Sequence, residues 1–207
     1  MQQETAGLPS NALFHLATRQ AQQRMIQRVR RSNSMANSTP APQTLANISI
    51  PRDLEVINDQ PFVLHDSGRN DSERFFIFGT ARSLSWLFTH RNLAADGTFK
   101  VVPRIYYQLF TVHVMLTMGL VIPSIFALLP NKTLNTYRRF WESVRNLLQA
   151  NHGELDGQGF NIIMDFEKGS RQTFSQVMNG VVNGCFFHFR QCLIKKVMFR
   201  LNITFLI

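Results

Sequence analysis

Acidic residues are scarce in this chain: 13 Asp and Glu stand against 22 Lys and Arg, giving a formal charge of +9 over 207 residues. That balance fits an anionic partner, either nucleic acid or an acidic membrane surface, and decides nothing about fold. Cysteine is scarcer still. Cys185 and Cys192 are the only two, which excludes a disulfide framework for a chain of this size and points to a reducing compartment. The N-terminus lacks the charged-then-apolar pattern of a secretory signal. The Asn-X-Ser/Thr triplets at Asn37, Asn47 and Asn131 therefore read as chance. Trp (2) and Tyr (3) are few while Phe reaches 18, so phenylalanine supplies most of the aromatic packing. With 44% hydrophobic residues the chain can bury an ordinary globular core, and its length suggests one domain with an appendage.

Charge is missing altogether from Leu109 to Leu129, 21 residues without Asp, Glu, Lys or Arg. A helix of that length spans a bilayer. His113, Gly119 and Pro123, with a Thr-Met-Gly break in the middle, divide the run into Tyr106–Leu116 and Leu120–Leu128. Buried strands also read as continuous apolar runs. The expectation is two buried strands joined by a tight turn, with a membrane protein spanning at 109–129 as the lower alternative.

Residues 1–31 hold one acid, Glu4, and arginines at 19, 24, 28, 30 and 31. Ser10 is placed to cap a helix starting at Asn11. Such a basic helix suits DNA phosphates or an acidic partner, with Arg24, Arg28, Arg30 and Arg31 as contact candidates. A solvated helix packed on a neighbouring domain and a mitochondrial presequence are the other readings. Residues 32–46 have linker composition, so the arm and linker are placed at 1–46. A pre-core region at 47–92 follows, with apolar pieces Pro61–His65 and Arg74–Gly79 forming a hairpin around a Gly/Asn/Asp join. A short helix over Ala81–Thr89 turns Leu84, Leu87 and Phe88 inward. The core is placed at 93–207.

Within that core the pattern predicts strands at Ala95–Val102, Tyr106–Leu116 and Leu120–Leu128, then a helix at 134–150 capped by Thr133. There Leu134, Tyr137, Phe140, Trp141, Val144 and Leu147/Leu148 recur at helical spacing. A strand at Phe160–Phe166, a helix at Lys168–Met178, a strand at Val181–Phe187 and a helix at Phe189–Leu201 complete it. The order β-β-β-α-β-α-β-α implies an α/β fold, a mixed sheet with flanking helices. It is similar to the ribonuclease-H-like fold, whose first and fourth strands lie side by side and parallel.

That layout makes neighbours of two acids in an acid-poor chain. Asp96 opens Asp-Gly-Thr-Phe-Lys-Val-Val-Pro (96–103), and Asp165 ends the apolar run of Phe160–Glu167. Two carboxylates held level on adjacent strands are a means of holding Mg²⁺ or Mn²⁺ for phosphoryl transfer. The bland reading is two strand-edge acids that cap turns. Glu167, two residues on, either faces outward or caps the next helix. Cys185-X-X-His188 has ligand-type spacing for Zn²⁺, with Cys192 one helical turn beyond, yet a closed structural site needs four ligands. A buried Cys beside a satisfied His in a Phe-rich strand is the plainer account. His113 reads as a hydrogen-bonded core residue, and Lys100 and Arg104 as DNA-facing or merely solvated cations.

Several of these pieces resemble one family. Asp-Gly-Thr-Phe-Lys-Val-Val-Pro (96–103), Tyr-Gln-Leu-Phe-Thr-Val-His (107–113), Ile-Pro-Ser-Ile-Phe-Ala-Leu-Leu-Pro-Asn-Lys-Thr (122–133), Asp-Phe-Glu (165–167) and Gly-Cys-Phe-Phe-His-Phe (184–189) resemble the MULE domain of Mutator-like transposases. They occur in the family's order from about residue 50 to 195. The Arg-rich arm and Ile-Pro-Arg-Asp-Leu (50–54) are similar to the segment preceding this domain in animal members. The resemblance implies a cut-and-paste DNA transposase with a three-carboxylate metal site, acting in the nucleus as a homo-oligomer on transposon ends and target DNA. Asp96 and Asp165 match its first two catalytic acids, and Cys185 with His188 matches an element near its active site.

The third acid of that family, a Glu, lies downstream of the Cys-X-X-His element. This chain has no Asp or Glu after Glu167, and its last 40 residues carry six basic side chains. Asn92-Leu93-Ala94-Ala95 lacks the Trp the family often places there, and the zinc-finger-like element of animal relatives is not seen upstream. The expectation is a C-terminally incomplete, transposase-derived polypeptide with weak or no catalysis. A domesticated, non-catalytic DNA-binding or regulatory protein is the alternative.

Overall fold

In a computed structural model of the chain, the described residues are 21, 24, 25, 28, 42–99, 101–155, 157 and 159–200. The chain divides into two compact units, Met1–Pro42 and Gln43–Ile207. In the first, Ala21, Arg24, Met25 and Arg28 are helical and, where they bear charge, exposed. Arg30, Arg31 and the proposed helix start near Asn11 lie outside the described residues, as does Lys100.

The second unit begins with one helical turn, α1 (Arg52–Glu55), and a two-residue hairpin, β1 (Val56–Ile57) and β2 (Gln60–Pro61). Then follow β3 (Val63–Asp66), β4 (Phe76–Phe78), α2 (Ala81–Thr89), β5 (Asn92–Thr98), β6 (Gln108–Met115) and β7 (Val121–Leu129). After these come α3 (Leu134–His152), β8 (Asn161–Met164), α4 (Lys168–Met178), β9 (Val181–Gly184) and α5 (Phe186–Arg200). Seven strands form one mixed sheet in the order β3-β4-β7-β6-β5-β8-β9. Pairing is antiparallel from β3 across to β5 and parallel from β5 through β8 to β9. From β5 onward the element order is β-β-β-α-β-α-β-α, a mixed α/β architecture consistent with a ribonuclease-H-like arrangement. The hairpin of β3 and β4 extends this same sheet through the pairing of β4 with β7.

Burial explains the layering. On β6, Gln108, Phe110, Val112 and Val114 are buried and the residues between them are only half so, the period-two signature of a strand with one packed face. Ile125, Ala127 and Leu129 of β7, Leu93 and Ala95 of β5, and Ile162 and Met164 of β8 join them. Against that face α3 sets Tyr137, Phe140, Trp141, Val144 and Leu148, each without exposed surface. The Trp141 ring meets Phe140 and Phe174 at 4.8 Å each, edge-on, the geometry that adds about 0.5–1.5 kcal/mol per pair beyond area burial. Thr133 caps α3 by accepting the Thr136 N–H at 3.2 Å. Thr80 and Ser83 form a reciprocal capping box on α2, worth about 1 kcal/mol.

The other face is treated differently along its length. At the β3–β4–β7 end, Phe76 and Tyr106 pack with Ile48 under the segments 45–50 and 102–106. Buried Arg74 pins that cover: its guanidinium holds Asp66 through two bonds, at 2.6 and 2.7 Å, and donates to the carbonyls of Leu45, Ala46 and Ile48. At the β5–β8 end the same face carries Ala94, Asp96, His113 and Ile163 around a cavity.

Most boundaries shift by one or two residues, among them β8, which ends at Met164 rather than Phe166 and leaves Asp165 outside the strand; three shift further. The first core strand runs from Asn92 to Thr98 rather than 95–102, because Asn92 pairs with Asn161 and Leu93 with both Ile162 and Val114. Tertiary pairing overrides the poor strand propensity of an asparagine. Beyond Thr98 the chain leaves the sheet and turns before Tyr106, whose N–H bonds to Pro103. The last strand stops at Gly184, and helix α5 begins at Phe186 instead of 189. A short Phe-rich run has no period that separates strand from helix. The uncharged run 109–129 forms β6, a turn at Thr117–Gly119 and β7, and among the described residues no helix is long and apolar enough to cross a membrane. The spanning alternative is thereby corrected.

Candidate metal and nucleic-acid site

Register, more than any single contact, defines the site. Parallel strands β5 and β8 match Asn92 with Asn161, Leu93 with Ile162 and Ala94 with Ile163. That pairing ends at Ala94 and Ile163; Asp96 follows two residues later inside β5, and Asp165 two residues later, one past the end of β8. Ala95 faces the packed side, so alternation along β5 turns Asp96 toward the open side. The Asp96 side chain is 54% exposed, and its Oδ1 lies 3.8 Å from His188 Nε2.

Asp165 stands just past the end of β8. Its Oδ1 accepts the Glu167 N–H at 3.0 Å, a turn that frees the chain from the sheet and leads it into α4. Glu167 does not face outward. Its carboxylate accepts the Tyr137 hydroxyl at 2.8 Å, and that hydroxyl accepts from Gln108 Nε2 at 2.8 Å. Burial raises the Tyr137 hydroxyl above its ordinary range, with Gln108 opposing and Glu167 reinforcing the shift, so it stays a donor. The Gln108 head group fills the space beside Gly97, where a Cβ would collide with its Oε1. A side chain directly after Asp96 would have to displace that head group. The sequence reading missed Gln108 and Tyr137. Their signal was a polar residue at a packed position of β6, opposite a tyrosine in the apolar stripe of α3.

Cys185 and His188 sit at the start of α5, not in a strand. The Cys185 N–H donates to Met164 O at 2.8 Å and its carbonyl accepts from Phe189. This ties the helix start to the end of β8, next to Asp165. His188 Nδ1 is buried with no hydrogen-bond partner among the described residues, so the histidine is not the satisfied core residue expected. Asp96, His113, Cys185, Phe187 and His188 share one cavity of about 280 Å³. Cys192 is exposed, further along the same helix. Arg104 is exposed in the turn beyond β5, and Arg24 and Arg28 are exposed in the N-terminal unit.

Oxygen donors such as Asp96 and Asp165 suit a hard divalent cation in kind. In number they fall short: among the described residues no three His, Cys, Asp or Glu side chains converge as a metal site would need. Zn²⁺ at Cys185 and His188 lacks the further ligands of a closed tetrahedral site on the same count.

Fold and site together define an α/β domain with aspartates at the carboxyl ends of adjacent parallel strands. The family comparison agrees: residues 92–192, from the first residue of β5 into α5, match the model of the MULE transposase domain. No curated protein and no solved structure matches the chain.

Proposed function

We propose that this chain is a transposase-derived DNA-binding protein in which Asp96 and Asp165 are the carboxylates of a divalent-metal site. The observation that supports this reading is the parallel pairing of β5 with β8, which ends two residues before each aspartate, inside the span that matches the transposase domain. A Mg²⁺ or Mn²⁺ ion held by such carboxylates would polarise a phosphodiester oxygen and acidify a bound water. The chain's own contribution is positional. Gly97, Gln108, Tyr137 and Glu167 brace the strand ends behind the aspartates, and His188 lies beside Asp96.

Two carboxylates hold a cation loosely, so the reading carries weak or no phosphodiester cleavage by these 207 residues. DNA as partner implies work in the nucleus, and strand transfer at paired transposon ends would call for a homo-oligomer. The excess of Lys and Arg supports a phosphate-tracking contact, with Arg104, Lys100 and the arginines of the arm as its candidates. A non-catalytic regulatory role on DNA is the second reading, in keeping with the two carboxylates having no third ligand beside them among the described residues.

Incubation of the full chain with supercoiled plasmid and Mg²⁺ or Mn²⁺ tests both. Salt-sensitive DNA binding with little or no nicking is expected. Robust cleavage abolished by Asp96→Asn would overturn the claim of weak activity, and DNA binding that ignores salt would overturn the phosphate contact.

A further inference from the structure

Aromatic rings are left in solvent on both sides of the aspartates. Phe166, the residue after Asp165, is 52% exposed, and Phe187, which lines the Asp96 cavity, is 61% exposed. On the other side Phe99, three residues past Asp96, is 51% exposed and meets Tyr107 edge-on at 5.4 Å. Exposed apolar area of this size calls for a partner.

The Phe166 ring has a built seat. It lies over Gly184, where a Cβ would come within 2.6 Å of it, so the missing side chain makes room for the ring. Cations attend the aromatics: the Arg171 guanidinium is 5.5 Å from the Phe166 centroid, held there by long bonds of 3.4 Å to the Asp165, Val182 and Asn183 carbonyls, and Lys132 Nζ is 5.7 Å from the Tyr107 centroid. A purely apolar protein partner would not need them.

We propose that this surface takes an unpaired DNA strand, with bases stacked on Phe166 and Phe187 and phosphates met by Arg171 and Lys132. Exposed rings with cations beside them are what single strands require, because every base offers a π-face and every link a charge. Duplex DNA shows only base edges and backbone and leaves the ring faces unused. The inference rests on DNA being the partner and adds that the strand reaching the aspartates is melted.

The test is fluorescence anisotropy of the full chain in EDTA, with a labelled single-stranded oligonucleotide and the duplex of the same sequence at equal salt. The single strand should bind more tightly. Phe166→Leu, which keeps apolar volume but removes the ring, should weaken single-strand binding about five- to 150-fold, the range measured for losing one stacked base. Duplex binding should stay within about twofold. Phe187→Leu gives an independent reading should the first variant melt early. Equal or tighter duplex binding overturns the proposal, as does unchanged single-strand affinity in both variants. Binding to anionic vesicles but to neither oligonucleotide overturns it together with DNA as the partner, whereas duplex preference leaves the DNA reading standing.

Discussion

Tyr137→Phe is the sharpest test of the architecture behind the aspartates. Tyr137 has no exposed surface, and its hydroxyl joins the buried Gln108 amide to the Glu167 carboxylate at 2.8 Å on each side. Removing the oxygen leaves a Gln108 N–H unpaired, at about 1–3 kcal/mol for a buried donor. The amide is only 1% exposed, so it has no water to turn to. Glu167 is only half buried and turns to water, so its loss adds little. The expected cost is about 2 kcal/mol, which for a chain of this size lowers the melting temperature by about 4–8 °C. Thermal and urea unfolding followed by circular dichroism measure it. Gln108→Leu in the Tyr137→Phe background removes the orphaned amide and should restore part of the loss, since deleting both partners is far milder than deleting one. A double variant that merely sums the two single losses, or a Tyr137→Phe chain as stable as the parent, would refute the network.

Other substitutions probe the frame. Gly180→Ala forces a Cβ into the Phe174 ring and to 2.9 Å from Phe160 O; a cost of about 1–3 kcal/mol is expected in urea unfolding. Arg74→Met removes five guanidinium bonds from a 4% exposed site and strands three carbonyls, so about 2–4 kcal/mol should be lost, with residues 45–48 exchanging amide hydrogens faster. The Arg74 guanidinium holds the Asp66 carboxyl below its usual range. In the pH window from about 4 downward the unfolded chain therefore binds more protons than the folded one, and stability falls as pH falls through the folded value. Unfolding midpoints taken across that window should show a flatter acid limb in Arg74→Met.

The helical and strand periods of the core were legible because each element buries one face. Phe140, Trp141, Val144 and Leu148 mark α3 by spacing alone, and the parallel neighbours β5 and β8 followed from element order. Less legible were places where a residue answers to a distant partner. Asn92 is a strand residue only because β8 lies beside it, and the Phe186–Phe189 run turns helical although its composition suits a strand. Arg74 looks like any surface cation in sequence. Only the fold shows that segment 45–48 crosses above it. The positions of Asp96 and Asp165 were readable from acids set against apolar runs, whereas the exposure of Phe166 and Phe187 was not, since phenylalanine in sequence argues for burial.

Titration of the full chain with Mn²⁺, followed by the loss of the free-ion electron paramagnetic resonance signal, bears most directly on whether two strands hold one cation between them. The expected result is a single weak site whose affinity drops at least about tenfold in Asp96→Asn and likewise in Asp165→Asn, about 1.4 kcal/mol or more each. Undiminished Mn²⁺ binding in either variant would contradict a shared ion.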